Sequence, residues 1–350
     1  MKIGVITDTH YGCRKNSKLF HDYFEKFYED IFFPTIDKED IKTVVHMGDV
    51  FDSRKGIDFS ALSWSRKVVF NPLRDRGIKL HLIVGNHDTY YKNTNRVNGL
   101  DLLLNEYDNI SVYSEATEVK LDKLKTIFIP WINQENEEIT IRAINKTNST
   151  VAMGHLELNG FSVNKHIVMD HGTESKIFKK FKKVFSGHYH TRSNDDSIFY
   201  LGNPYEMYWT DVSDDRGFHI FDTQTLEHTP VNNPHRIFNV IFYDNIDYQL
   251  FDARPYENKI VKVVVRQKDD IDKFERFIDK LYSVNVSDLK IVENFDFSGW
   301  YDNKNDDDSV ESEDTLSILD RYIDESEIEL DKSLIQSMVR EVYQEALNLV

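Results

Sequence analysis

The sequence predicts an α/β layered domain, and three observations carry that prediction. Short apolar, β-branched runs recur through the first half of the chain. Each run ends in a short polar motif. Segments with helical apolar spacing lie between the runs.

The runs follow in order. Residues 2–7 (KIGVIT) lead into Asp8-Thr9-His10, and residues 42–47 (KTVVHM) into Gly48-Asp49-Val50-Phe51-Asp52. Residues 78–84 (IKLHLIV) lead into Gly85-Asn86-His87-Asp88. Residues 150–153 lead into Gly154-His155, and residues 184–186 into Gly187-His188-Tyr189-His190. Val and Ile favour the pleated state, and each run stops at a Gly or a turn. Residues 17–33 place Leu19, Tyr23, Phe27 and Ile31 four apart, as a helix does. Residues 60–70 and 97–107 follow the same rule, the latter with Leu100, Leu103 and Leu104.

Strand ends are where an α/β sheet gathers side chains into one crevice. The motifs bring there Asp8, His10, Asp49, Asn86, His155, His188 and His190, with His87 beside them. That is a donor set for two divalent cations. Asp49 follows a strand and a Gly, which suits a short, fixed, bridging carboxylate. Gly48 leaves room for close backbone approach. Asp8 and His10 are spaced by two and can share a face if the segment is extended. The same spacing separates His188 and His190. A mixed nitrogen and oxygen set without thiolate suits Mn, Fe, Zn or Mg. Two such ions can clamp a phosphoryl group, so phosphate ester hydrolysis is the reaction class these residues suggest. His87 cannot point the same way as Asn86 in an extended chain, and is read as facing substrate. Any one motif alone is a weak signal; five in order are not. His21, His46, His81, His166, His219, His228 and His235 are read as packed or surface residues. His171, in a polar loop, is the one other histidine worth testing.

The ordered set resembles the calcineurin-like metallophosphoesterase superfamily. Within it, the chain is similar to DNA double-strand-break-repair nucleases of the SbcD type, and among those to the recombination endonuclease subunits of T-even-type phages. The segments that carry the resemblance are GDVFDSR at 48–54, IVGNHD at 83–88, IPW at 129–131, GHLELNGF at 154–161, SGHYHT at 186–191 and GNP at 202–204. The resemblance implies a two-layer β sandwich flanked by helices, holding two divalent ions, with Mn expected and Mg as the alternative. By position, Asp8, His10, Asp49 and His190 would hold one ion, and Asp49, Asn86, His155 and His188 the other. His87 matches the catalytic histidine that is not a ligand, and Asp88 would orient a neighbour. Tyr11 stands where Leu is usual, and Asp52 where some relatives carry His, so Asp52 receives no catalytic role. Ser53 separates Asp52 from Arg54, and Asp88 stands where the phosphoprotein phosphatases carry Glu; both argue against that branch. The resemblance further implies an SbcC-type, SMC-like coiled-coil ATPase as partner, and homodimerisation through residues 60–70 and 97–107. Two other functions compete with the nuclease: a phosphodiesterase for small nucleotides, and a scaffold for the ATPase whose metal site has decayed.

The net charge of −17 is an awkward balance for a nucleic-acid enzyme, since DNA affinity comes largely from phosphate neutralisation. The charge is uneven: twelve acids against two bases in residues 301–329 supply −10 of it. Local basic groups remain. Arg14, Lys15, Arg54 and Lys55 flank the metal motifs, and Lys176, Lys179, Lys180, Lys182 and Lys183 form a basic run whose alternative reading is a solvated helix face. Weak intrinsic DNA affinity is therefore expected, supplemented by a partner or a second copy. The one cysteine, Cys13, excludes an internal disulfide and fits a reducing cytosol. Residues 1–7 read as a strand rather than a signal peptide, and no apolar run approaches a membrane span.

Residues 216–222 and 227–231 read as a hairpin. Breakers at 232–234 put a domain boundary near Arg236. Residues 259–266 read as a strand, 271–282 as a helix with Phe274, Phe277, Ile278 and Leu281 on one face, and 289–295 as a strand. The expected organisation is a main domain at 1–235, a small α+β domain at 236–300, an acidic linker at 301–314 and a helical tail at 315–350, and the resemblance implies that the first is the nuclease and the second a capping, DNA-binding domain. In the tail, Leu334, Ile335, Met338, Val339, Val342 and Ala346 form an apolar stripe at helical spacing. The resemblance implies that such a tail binds the ATPase.

Overall fold

The computed structural model describes residues 1–164, 167–169, 172–268, 270–293 and 332. The linker, the tail stripe, His166 and His171 lie outside the described residues, as do the last residues of the strand expected over 289–295. The strands begin with β1 Lys2–Ile6, β2 Thr43–His46, β3 Lys79–Ile83, β4 Ile110–Tyr113, β5 Thr117–Leu121, β6 Leu124–Ile129 and β7 Val151–His155. They continue with β8 Ser162–Asn164, β9 Ile167–Val168, β10 Lys183–Gly187, β11 Ser193–Asp195 and β12 Ile198–Tyr200. The last are β13 Gly217–Asp222, β14 His228–Asn232, β15 Phe238–Phe242, β16 Ile260–Val265 and β17 Asp288–Glu293.

Two six-stranded sheets form the body, in the orders β14-β13-β1-β2-β3-β4 and β11-β12-β10-β7-β6-β5. The central pairs are parallel: β1 with β2, β2 with β3, β6 with β7, and β7 with β10. Central parallel strands are buried on both faces, which is why they read as continuous apolar runs. Alternation then sorts each strand. Ile3, Val5, Val45 and Met47 of the first sheet pack against Phe128, Val151, Met153 and Phe185 of the second. Val44, Leu80 and Leu82 face the other way, onto Phe24 and Phe27 of a covering helix. Ala152, Val184 and Ile198 face Ile144 and Phe178 on the far side. The result is helix, sheet, sheet, helix, the sandwich that the resemblance implies.

The helix expected over 17–33 continues past Pro34. It runs Lys18–Phe27, widens through one π turn at Tyr28–Phe32, and resumes as Phe33–Lys38. The Phe33 amide donates to the Tyr28 carbonyl oxygen, five residues back. A wider turn gives room for a proline ring that lacks an N–H and clashes with the carbonyl four residues back. The same device recurs at Arg66–Phe70, two residues ahead of Pro72.

The third sheet is parallel, in the order β15-β16-β17. The helix Ile271–Ser283 covers it with Phe274, Phe277, Ile278 and Leu281, as its spacing predicts. β15 is an addition to the expected strand–helix–strand unit. This region has its own apolar cluster around Val261, Val263 and Phe277. Ile237, Phe238 and Ile260 pack into the main core instead, and Met1–Asp296 forms one compact unit. No helix among the described residues is long and apolar enough to cross a membrane.

Candidate metal centre

All five motifs stand at the C-terminal ends of parallel strands. Asp8 and His10 follow β1, Asp49 follows β2, and Asn86 and His87 follow β3 in the first sheet. His155 closes β7, and His188 and His190 follow β10 in the second. The two sheets therefore contribute to one crevice along a shared edge.

The local backbone differs from the extended segment that the Asp-x-His spacing suggested. Asp8, His10, Asp49 and His188 have φ of 53°, 43°, 55° and 85°. Left-handed backbone costs an L residue roughly 1–2 kcal/mol. Tertiary bonds hold it: Asp8 N–H donates to the Gly48 carbonyl oxygen at 3.0 Å, and His10 N–H to that of Asp49 at 3.1 Å. Close approach also explains Gly48, where φ is +100° and a Cβ would lie 2.5 Å from His155 Nδ1.

The donor atoms converge into overlapping groups. Asp8, His10 and His190 form one; Asp49, His155 and His188 form another; His10, Asp49 and His87 form a third. His10 Nε2 and His190 Nε2 face each other at 3.1 Å. That is the separation of two ligands on one ion with metal–nitrogen bonds of about 2.1 Å. Asp49 Oδ2 lies 3.6 Å from His10 Nε2 and 3.3 Å from His155 Nε2, so one oxygen touches both groups. His155 Nδ1 donates to the Met47 carbonyl oxygen at 2.8 Å, which leaves Nε2 as the lone-pair atom. That lone pair faces Asn86 Oδ1 at 2.9 Å, and His188 Nδ1 lies 2.9 Å from the same oxygen. Once His155 Nε2 gives up its proton, acceptors face acceptors, which suits a cation between them, and seven buried or half-buried nitrogen and oxygen donors fit two divalent ions.

Electrostatics agree. Burial opposes charge on His10, but the Asp52, Asp49 and Asp8 carboxylates lift it to about 9. His155 rises to about 9 in the same way, burial being overcome by Asp49 and Asp8. Burial, followed by His155, lowers His188 to about 3. Burial also lowers His87. Burial and then the Asp49 charge push Asp88 up to about 7. The buried carboxylates draw protons onto His10 and His155, positive charge that a bound cation would supply in their place.

Residues 1–192, more than half of the chain, match the family described as calcineurin-like phosphoesterase. The chain belongs to that family. It is also 36% identical over 290 residues to "Exonuclease subunit 1" of Enterobacteria phage T4, covering 82% of this chain and 81% of that one. A solved archaeal phosphodiesterase overlaps 67% of this chain and all of its own, at 15% identity and a TM-score of 0.36, too partial a match to bear on the fold.

The phosphoesterase surrounds these candidate donors with a second set of contacts. Asp88 accepts from the amides of Asp49 and Gly85 at 2.9 Å each, and from Val50 and Phe51 at 2.9 and 3.3 Å. It thereby ties the second motif to the third. Asp52, given no role from sequence, does two things here. Its carboxylate lies 3.3 Å from His10 Nδ1, and its carbonyl oxygen accepts from His87 Nδ1 at 2.6 Å. Buried Arg216 donates to the His190 carbonyl oxygen and to Asn203 Oδ1, and to Asp214 Oδ2 at 2.9 Å. It fixes the last motif from behind. Only Asn203, within the GNP segment, was marked in the sequence.

The basic candidates separate into two groups. Lys15 and Lys55 are exposed beside the metal motifs. Arg14 donates from Nε to the Met207 carbonyl oxygen at 2.7 Å and lies over the Tyr208 ring. Arg54 lies over Trp131. The basic run, by contrast, forms only one helical turn, Ser175–Phe178, and then enters β10 at Lys183. Five strand steps of about 3.3 Å put Lys183 about 16 Å from His188, at the other end of the sheet. Lys180 donates to the carbonyl oxygens of Ile144, Asn145 and Thr147 at 3.0, 3.0 and 2.7 Å. Lys183 lies 3.3 Å from His228 Nδ1. Lys179 and Lys182 are exposed.

Proposed function

We propose that this phosphoesterase is a metal-dependent DNA nuclease: an exonuclease on duplex ends and an endonuclease on single strands. It would act as the nuclease subunit of an SbcCD-like complex that processes DNA ends in recombination, repair and replication. The observation that carries the reading is Asp49 Oδ2 set between histidines of two donor groups, within a chain 36% identical to a protein named as an exonuclease subunit. Asp8, His10, Asp49 and His190 are assigned to one ion, and Asp49, Asn86, His155 and His188 to the other, with Mn expected and Mg as the alternative. When bound, such a pair supplies Lewis acidity and an activated water for attack on a phosphodiester.

The chain's own residues do the rest. The reaction adds water across one phosphodiester, so a P–O bond forms, another breaks, and the departing sugar oxygen takes a proton. His87 is positioned for that proton. Its Nδ1 is committed to the Asp52 carbonyl oxygen, which leaves Nε2 to hold and donate. Burial keeps His87 neutral until the negative charge of a phosphate favours its protonated form. Arg14, Lys15, Arg54 and Lys55 are the proposed positive groups for flanking phosphates, with Lys179 and Lys182 as remote candidates. The word "subunit" in the relative's name supports a partner, and an SbcC-type ATPase gripped by residues 334–346 is the proposed one. A second copy is proposed on residues 60–70 and 97–107, in which Val97 and Leu102 are 41% and 67% exposed. A host cytoplasm is the proposed setting.

The test uses end-labelled linear duplex DNA with Mn, with and without the coiled-coil ATPase, and Asp49→Asn as the blank. Cleavage should be lost in the variant and should rise with the ATPase. Metal-loaded protein that cuts no DNA but hydrolyses small nucleotide diesters would overturn the reading.

A further inference from the structure

Arg54 carries a guanidinium that nothing in the described fold uses. Its central carbon lies 5.1 Å from the centroid of the Trp131 ring. Its Nη1 is buried and has no hydrogen-bond partner among the described residues. Arg66 and Arg192 also leave one buried nitrogen unmet, but their other nitrogens hold Leu103 and Leu201 carbonyl oxygens. A buried N–H without an acceptor is costly and rare, so a charged one kept beside a metal centre points to an external acceptor.

Both halves of the stack are pinned at the site. Arg54 follows Asp52 by two residues, and Asp52 holds both His10 and His87. Trp131 follows β6. Its amide donates at 2.9 Å to the carbonyl oxygen of Val84, the residue before Gly85. Its own carbonyl oxygen accepts from Asn95 Nδ2 and Asn136 Nδ2 at 3.0 Å each. The stack thus bridges the Asp49 loop of one sheet and the β6 end of the other. Burial lowers Arg54 from its ordinary value, and the Asp49 charge opposes that shift only in part. No carboxylate pairs with it directly among the described residues.

We propose that Arg54, held over the Trp131 ring, grips the phosphate next to the one being cut. The planar fork matches two phosphate oxygens, and the indole sets its orientation before substrate arrives. The metal ligands serve the reacting phosphate, so a grip beyond them favours a strand over a lone phosphodiester. The inference rests on the nuclease reading.

The test measures binding of a fluorescent single-stranded oligodeoxynucleotide by anisotropy, in the Asp49→Asn chain with Mn, across a salt series. Adding Arg54→Ala should weaken binding about tenfold. The slope of log affinity against log salt should shrink by about 0.7, the loss of one phosphate contact. Arg54→Lys should recover the slope but not the full affinity, because it keeps the charge and loses the fork. In the otherwise native chain, Arg54→Ala should lower kcat/KM on the oligonucleotide at least about tenfold more than on bis(p-nitrophenyl) phosphate. Unchanged affinity and slope, or equal losses on the two substrates, would overturn the proposal. A native chain that binds the strand through Arg54 yet never cuts it would sink the nuclease reading and leave the grip standing.

Discussion

Asp49 holds three histidines in place. Its Oδ1 accepts the His87 amide at 2.8 Å, while Oδ2 reaches toward both His10 and His155. The seven proposed metal-ligating positions are legible in sequence because a donor side chain must be a specific residue type after a strand. Asp52 is not, because half of its contribution is a backbone carbonyl that any residue would supply. Nor is Arg216, which acts from the residue just before β13, far along the chain. The residue scale also fixes a pH dependence. His10 and His155, lifted to about 9, carry protons at neutral pH before metal arrives. Ligation must displace those protons, so metal affinity should rise with pH up to about 9 and weaken below it. Each displaced proton contributes about tenfold per pH unit. Calorimetric titration of chelator-stripped protein in buffers of different ionisation enthalpy checks this; affinity flat between about pH 6.5 and 8.5, with no proton release, would contradict it.

At the scale of elements, strand ends do the positioning. The runs before each motif are legible because buried parallel strands must be apolar on both faces. The left-handed turns at Asp8, His10, Asp49 and His188 are not, since their φ values are imposed by bonds between loops. The edge strands β4, β5 and β11 escape the pattern for a related reason: they are short and partly exposed, so their apolar signal is weak. The π turns ahead of Pro34 and Pro72 are hidden too, because a proline ordinarily ends a helix. The basic run illustrates how an element reassigns a charge. Lys180 closes the C-terminal end of the helix Glu137–Lys146, where carbonyls lack partners. Lys180→Met should therefore cost about 1–2 kcal/mol of stability and leave DNA affinity unchanged. Thermal melting and the anisotropy assay check the two halves. Lost DNA affinity with unaltered melting would return this lysine to the substrate surface.

For the whole molecule, two sheets with one shared edge give a single centre fed from both sides. The sandwich itself was legible only through resemblance, because composition and periodicity describe strands and not how two sheets stack. A net charge of −17 opposes DNA at long range. That is consistent with a chain that relies on a few local cations and with the proposed partner. The central claim is that the seven donors form a site for two ions. Calorimetric titration of Mn into the chelator-stripped full chain, with Asp49→Asn alongside, tests it most directly. Two equivalents should bind to the native chain, with the variant losing at least one. One equivalent or fewer at saturating Mn in the native chain would contradict the account.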